Sequence, residues 1–209
     1  MEMNMKRRSI YVLIATILTI LVPAPGRFVY GLALVIELNF LMLVGTLANS
    51  LVKKIKLQEL NTIIILLMLI ASTIFYRQLM ILICPELMLT LGYMIYLMPV
   101  SVFTFGYIFT NQDRPLSQRL KLNMLHVLTF SVYVLLFFLF RDLAGYGTFT
   151  FFGKGHQIYE KVIISPQNLG FFSLLASIPG ALILSSILLF IHIFVRNEFE
   201  ILYKSEDNK

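Results

Sequence analysis

Residues 28–51 read Phe-Val-Tyr-Gly-Leu-Ala-Leu-Val-Ile-Glu-Leu-Asn-Phe-Leu-Met-Leu-Val-Gly-Thr-Leu-Ala-Asn-Ser-Leu, and Lys53-Lys54-Ile55-Lys56 follows directly. A helix rises 1.5 Å per residue, so about 20 apolar residues cross the hydrocarbon core of a bilayer. This stretch exceeds that length, holds one carboxylate, Glu37, and stops at a cluster of lysines. It reads as a transmembrane helix, and similar runs lie on both sides of it. Upstream, Lys6-Arg7-Arg8 precedes Ile10 to Val22, which ends at Pro23-Ala24-Pro25-Gly26. Thirteen residues suit either a short, broken span or a signal-peptide core, although no good small-x-small cleavage site follows. Downstream, the runs are Leu60 to Cys84, closed by Pro85-Glu86; Leu87 to about Phe109, with Pro99 inside; Met124 to Phe140; and about Leu169 to Val195, carrying Pro179-Gly180.

The composition agrees. Of 209 residues, 58% are hydrophobic and 13% charged, against about 25% charged in soluble domains. The mean hydropathy is +0.84. These values exclude intrinsic disorder and a conventional cytosolic enzyme. The expected fold class is all-α: a polytopic membrane protein of six transmembrane helices in one domain, residues 1–209. The net charge of +6 suits orientation in a bilayer better than nucleic acid, for which no basic patch is large enough. Cys84 is the only cysteine and no Trp is present. An internal disulfide, a CxxC pair and a multi-thiolate metal site within one chain are thereby excluded.

Six spans place both termini on one side. Lys6, Arg7, Arg8, Lys53, Lys54, Lys56, Arg114, Arg119, Lys121, Arg196, Lys204 and Lys209 fall on that side, against Arg27, Arg141, Lys154 and Lys161 on the other. The imbalance assigns both termini to the cytoplasm of a plasma (inner) membrane protein. The spans divide three and three, about 8–85 and 86–196, with a short charged tail over 197–209. An odd number per half means two inverted repeats. The first span of each half is marked by proline, Pro23 and Pro25 in one and Pro99 in the other, so spans one and four are expected to be broken.

Few polar groups lie within the spans. Glu37 reads either as a cation or proton site or as one half of an interhelical pair, since a carboxylate at membrane depth requires a partner or water. Asn49 lies further along the same span. Arg77 either extends to the interface or pairs with Glu37. His126 and His192 have no carboxylate at ligand spacing, which makes a weak metal site. No Walker loop, HExxH, GxSxG or paired-carboxylate motif occurs.

The segment after the fifth span, Arg141-Asp142-Leu143-Ala144-Gly145-Tyr146-Gly147-Thr148-Phe149, reads as a helix terminus with glycines for tight backbone. With the six-span layout, it resembles the membrane subunits of the Rnf and Nqr electron-transport complexes. Those proteins carry Arg-acid-x-x-Gly-x-Gly-Thr-aliphatic here and a Pro-Gly-Ala step in the sixth span, matched by Pro179-Gly180-Ala181. Tyr30-Gly31-Leu32-Ala33 and Leu91-Gly92 are weaker matches. The resemblance implies a subunit that couples electron transfer to Na⁺ or H⁺ movement, paired with a homologous inverted membrane subunit and joined by further subunits of a complex. It also implies an iron–sulfur centre held by cysteines of the broken first and fourth spans. Those positions fall near Ala15 and Val102 in this chain, and neither side chain supplies the thiolate such clusters need. No cofactor is therefore expected in this chain. Two other functions fit the same sequence: a small-solute or ion transporter with Glu37 on its path, and a membrane scaffold or assembly protein.

Overall fold

The computed structural model describes residues 21–55, 59–101, 108–109, 114–153, 155–165 and 170–206. The expected first span through residue 20, including Ala15, and also Val102, lie outside the described residues. The chain is mostly helical. Among the described residues, three helices are long and apolar enough to cross a membrane: Phe28–Ile55, Asn61–Ile83 and Leu116–Tyr146. These three correspond to the second, third and fifth expected spans.

Helix α1 (Phe28–Ile55) ends in Lys53 and Lys54. Cations there suit the negative end of the helix dipole and the membrane–water boundary. Helix α2 (Asn61–Ile83) runs back beside it. Its Tyr76 hydroxyl donates to the Ala33 carbonyl at 2.7 Å, and its Asn61 amide donates to Asn49 Oδ1 at 3.3 Å, which fixes an antiparallel register along the whole pair. Helix α5 (Leu116–Phe140) lies antiparallel to α1 on another face. The Asn39 amide donates to Ser131 Oγ at 2.9 Å and the Asn123 amide to Thr46 Oγ1 at 3.1 Å, two rungs of one register. Lipid tails are as apolar as leucine, so hydrophobicity does not hold helices together in a bilayer. Polar rungs and close packing at small residues do. Gly31 is such a position, because a Cβ there would overlap the Phe138 side chain close to its root.

The segment expected as a broken fourth span is divided into short helices, with breaks on both sides of Pro99. Pro85 opens the short helix α3 (Pro85–Leu91), and Gly92 then turns with φ 52° and ψ −119°, backbone that a Cβ would strain. A 3₁₀ turn (Gly92–Tyr96) leads into α4 (Leu97–Val100), where Pro99 is buried, and Ser101 leaves in extended conformation. The segment expected as the sixth span is interrupted too, between a 3₁₀ segment (Gly170–Ala176) and helix α6 (Ile178–Glu206). The Ser177 hydroxyl accepts the Gly180 amide at 3.3 Å as an N-cap. Pro179 therefore starts a helix rather than kinking one.

The segment read as a helix terminus after α5 leads into further regular structure. A π-helical turn (Arg141–Tyr146) extends α5 and ends at Gly147, which is left-handed with φ 68°. Strands β1 (Thr148–Phe152) and β2 (Ile158–Val162) then form an antiparallel hairpin, pairing Thr148 with Val162 and Phe152 with Ile158. The hairpin adds a small sheet to an otherwise helical chain. Its tip reaches the α2–α3 junction, where His156 Nδ1 lies 3.0 Å from the Ile83 carbonyl and the Ile158 amide donates to Glu86 Oε2 at 3.2 Å.

If Gly31 sets the α1–α5 approach, Gly31→Ala is expected to destabilise the purified chain by about 1–3 kcal/mol. Ile36→Ala, on an exposed face of the same helix, should shift stability by no more than about 0.5 kcal/mol. Thermal unfolding of both variants in detergent compares them.

Candidate functional site

Two adjacent residues of opposite charge, Arg141 and Asp142, occupy the centre of the most densely bonded region described. Both are buried, at 1% and 0% exposure. They do not bond one another, and each serves a different kind of broken chain end.

Arg141 gathers carbonyls. Its Nε donates to the Leu175 oxygen at 3.2 Å and its Nη2 to the Ala176 oxygen at 3.2 Å, at the end of the 3₁₀ segment before α6. Its Nη1 donates to the Ala24 oxygen at 2.9 Å and, at 3.4 Å, to the Leu21 oxygen, both in the chain leading into α1. The Phe137 ring lies 5.7 Å from the guanidinium carbon. The planar guanidinium has five donors, enough to serve two segments at once. Space comes from missing side chains. A Cβ on Gly26 would lie 2.8 Å from Arg141 Nε, and one on Gly145 would lie 2.7 Å from the Ala176 nitrogen.

Asp142 gathers donors. Its Oδ2 accepts the Phe28 amide at 3.0 Å, the Thr150 amide at 2.9 Å and the Thr150 hydroxyl at 2.7 Å; its Oδ1 accepts the Thr148 hydroxyl at 2.6 Å. Thr150 Oγ1 in turn accepts the Val29 amide at 3.3 Å. The first two amides of α1 are thus capped from another part of the chain, one by a carboxylate whose charge suits a helix N-terminus and the other by the hydroxyl that carboxylate holds. Gly147 completes the arrangement. Its carbonyl accepts the Ile163 and Ile164 amides at 2.8 and 2.9 Å, which closes the hairpin beside β1.

Arg141, Asp142, Gly145, Gly147 and Thr148 are therefore brought together in one cluster. Gly180 lies where the chain turns into α6, and a Cβ on it would overlap the Leu174 carbonyl. Pro179 is exposed at the start of α6. Sequence reasoning missed Gly26 and Thr150. The alternation Thr148-Phe149-Thr150-Phe151 was the available signal for Thr150, since a period of two places both threonines on one strand face. Phe28, Phe149 and Phe151 stack on one another, with ring centroids 5.3 to 6.5 Å apart.

Glu37 and Arg77 are not brought together. Glu37 is fully buried in α1, and neither carboxylate oxygen has a hydrogen-bond partner. Thr73 and Tyr76 of α2 are the polar side chains beside it, but the Thr73 hydroxyl donates to the Leu69 carbonyl and that of Tyr76 to Ala33. Arg77 is half-buried, and its Nε is also unbonded. Asn49 is engaged, donating to the Ile108 carbonyl at 2.9 Å. Cys84 is a buried free thiol at the α2–α3 junction. His126 is exposed, with Nδ1 2.7 Å from the Leu122 carbonyl. Among the described residues, no three His, Cys, Asp or Glu side chains group as metal ligands.

The fold and this cluster define a class: a helical chain built to cross a membrane, with its interrupted segments tied together by one buried Arg–Asp dipeptide. No protein-family model matches the sequence, and no curated protein matches it.

Asp142→Ala would leave two buried amides and two hydroxyls without their acceptor. It should destabilise the chain by about 3–5 kcal/mol, as for removal of one member of a buried charged network. Thr148→Val removes a single donor and should cost about 1.5–3 kcal/mol, the range for a hydrogen bond to a charged group. Equilibrium unfolding of the purified variants measures the order, which reverses if the carboxylate is not the hub.

Proposed function

We propose that this chain is a membrane subunit of an ion-translocating electron-transport complex of the Rnf/Nqr kind. In this reading it lies in the plasma membrane with both termini in the cytoplasm. It works beside a homologous inverted subunit and has no iron–sulfur ligands of its own. The observation that supports the reading is that Arg141 and Asp142, the charged residues of the sequence resemblance, are buried and bond backbone of distant segments. The antiparallel pairing of α1 with α5 also supports it. Helices at equivalent places in two inverted repeats must run in opposite directions.

Mild-detergent purification from the native membrane, with partners identified and iron and flavin assayed in the same fraction, tests this. The reading expects at least one further membrane subunit together with flavin and iron. Recovery of the chain alone, with neither, would overturn it.

Glu37 favours a second reading, that an ion or proton path runs through this chain itself. A fully buried carboxylate without a hydrogen-bond partner is costly to keep and marks ion pathways in membrane proteins. In proteoliposomes containing the chain alone, this reading expects cation flux that is lost in Glu37→Gln. Unchanged flux in the variant removes the role of Glu37.

A further inference from the structure

Helix α5 begins without the groups that usually satisfy a helix N-terminus. Pro115 occupies the cap position with no side-chain hydrogen bond, and the first turn, Leu116-Ser117-Gln118-Arg119, contains no acid. The first amides there carry the positive end of the helix dipole. Arg119, the fourth residue of α5, is only 3% exposed, and its Nε and Nη2 are both buried without a hydrogen-bond partner. These two nitrogens share one edge of the guanidinium, the edge that takes a phosphate or carboxylate through two parallel hydrogen bonds. In Arg141 the same edge is filled by two carbonyls. In Arg119 it is left unused.

The surroundings favour an anion. Asn123, one turn further along α5, bonds Thr46 of α1, so Arg119 lies toward the α1 terminus that ends in Lys53 and Lys54. Arg114 and Lys121 are exposed on either side of it in sequence, and the α1–α2 turn contributes one exposed acid, Glu59. Arg119 lies at the end of a helix long and apolar enough to cross a bilayer, the depth at which headgroup phosphates lie.

The geometry points to an oxyanion site at the N-terminus of α5, in which the Nε/Nη2 edge of Arg119 holds a phosphate, and to an anionic phospholipid headgroup as its source. The edge is covered in the free chain, so the guanidinium swings outward to engage, and no hydrogen bond on that edge is broken when it does. A choline headgroup carries its own cation into a cluster of lysine and arginine, so phosphatidylglycerol is held in preference to phosphatidylcholine. The site is independent of the electron-transport reading.

Native mass spectrometry of the purified full chain, exchanged into mixed micelles of either lipid, tests it. Wild type is expected to retain one phosphatidylglycerol and little phosphatidylcholine. Arg119→Gln should reduce that retention about ten-fold, and Arg119→Lys, which keeps the charge without the two-pronged edge, should also reduce it. Lys161→Gln, at an exposed position on β2 away from the site, should match wild type. Equal retention of phosphatidylglycerol by wild type and folded Arg119→Lys overturns the role of the edge, and that comparison stands even if Arg119→Gln fails to fold. Equal retention of the two lipids overturns the anionic preference. In a parallel arm, a rise in Tm with inorganic phosphate in lipid-free detergent, lost in Arg119→Lys and unmatched by phosphatidylglycerol, keeps the oxyanion site and overturns the lipid as its source.

Discussion

Arg141 donates to four backbone carbonyls and Asp142 accepts two backbone amides, and the rest of the arrangement depends on this division. At membrane depth no water completes the hydrogen bonding of an interrupted backbone, so each break must find partners inside the protein. A break that ends one segment leaves carbonyls, and one that begins another leaves amides. A cation and an anion side by side on the chain can serve both, and their opposite charges leave the pair neutral overall. The segment before α1, the start of α1, the segment before α6 and the first strand of the hairpin all meet at this dipeptide.

From that anchor α1 extends as the central helix, with polar contacts to α2 along one face and to α5 along another. The rungs Asn39–Ser131 and Thr46–Asn123 hold α5, while Tyr76 on the Ala33 carbonyl and Asn61 on Asn49 hold α2. Each polar side chain in these rungs satisfies a group that would otherwise be unpaired in an apolar medium. Glu37 stands apart because it lies between α1 and α2 in the same register and bonds nothing. Both of its oxygens are unbonded, whereas Asn39 and Asn61, which also keep one unbonded oxygen, each donate into a rung.

The spans around Phe28–Ile55, Asn61–Ile83 and Leu116–Phe140 were legible because length and apolar character are properties of a contiguous segment. The glycines and charges of Arg141–Thr148 were legible as a motif, but their task was not. Arg141 serves Ala24 and Ala176, which are 117 and 35 residues away in sequence. No local pattern encodes such a partner. Proline marked the interrupted segments without marking the exact break. Pro99 lies within a short helix while Gly92 makes the turn before it, and Pro179 begins a helix that Ser177 caps. Residue type marks an interruption, whereas its position is set by where the freed backbone finds partners. The hairpin went unseen because Thr148–Phe152 follows a segment read only as a helix terminus, although its β-branched and aromatic alternation favours a strand.

Amide hydrogen exchange on the purified chain tests the central claim most directly, followed at Phe28 and Thr150 in wild type and in Asp142→Asn. If one carboxylate ties the start of α1 to the first hairpin strand, both amides are strongly protected in wild type and lose protection together in the variant. Protection that survives at either amide when the other is lost would contradict the account.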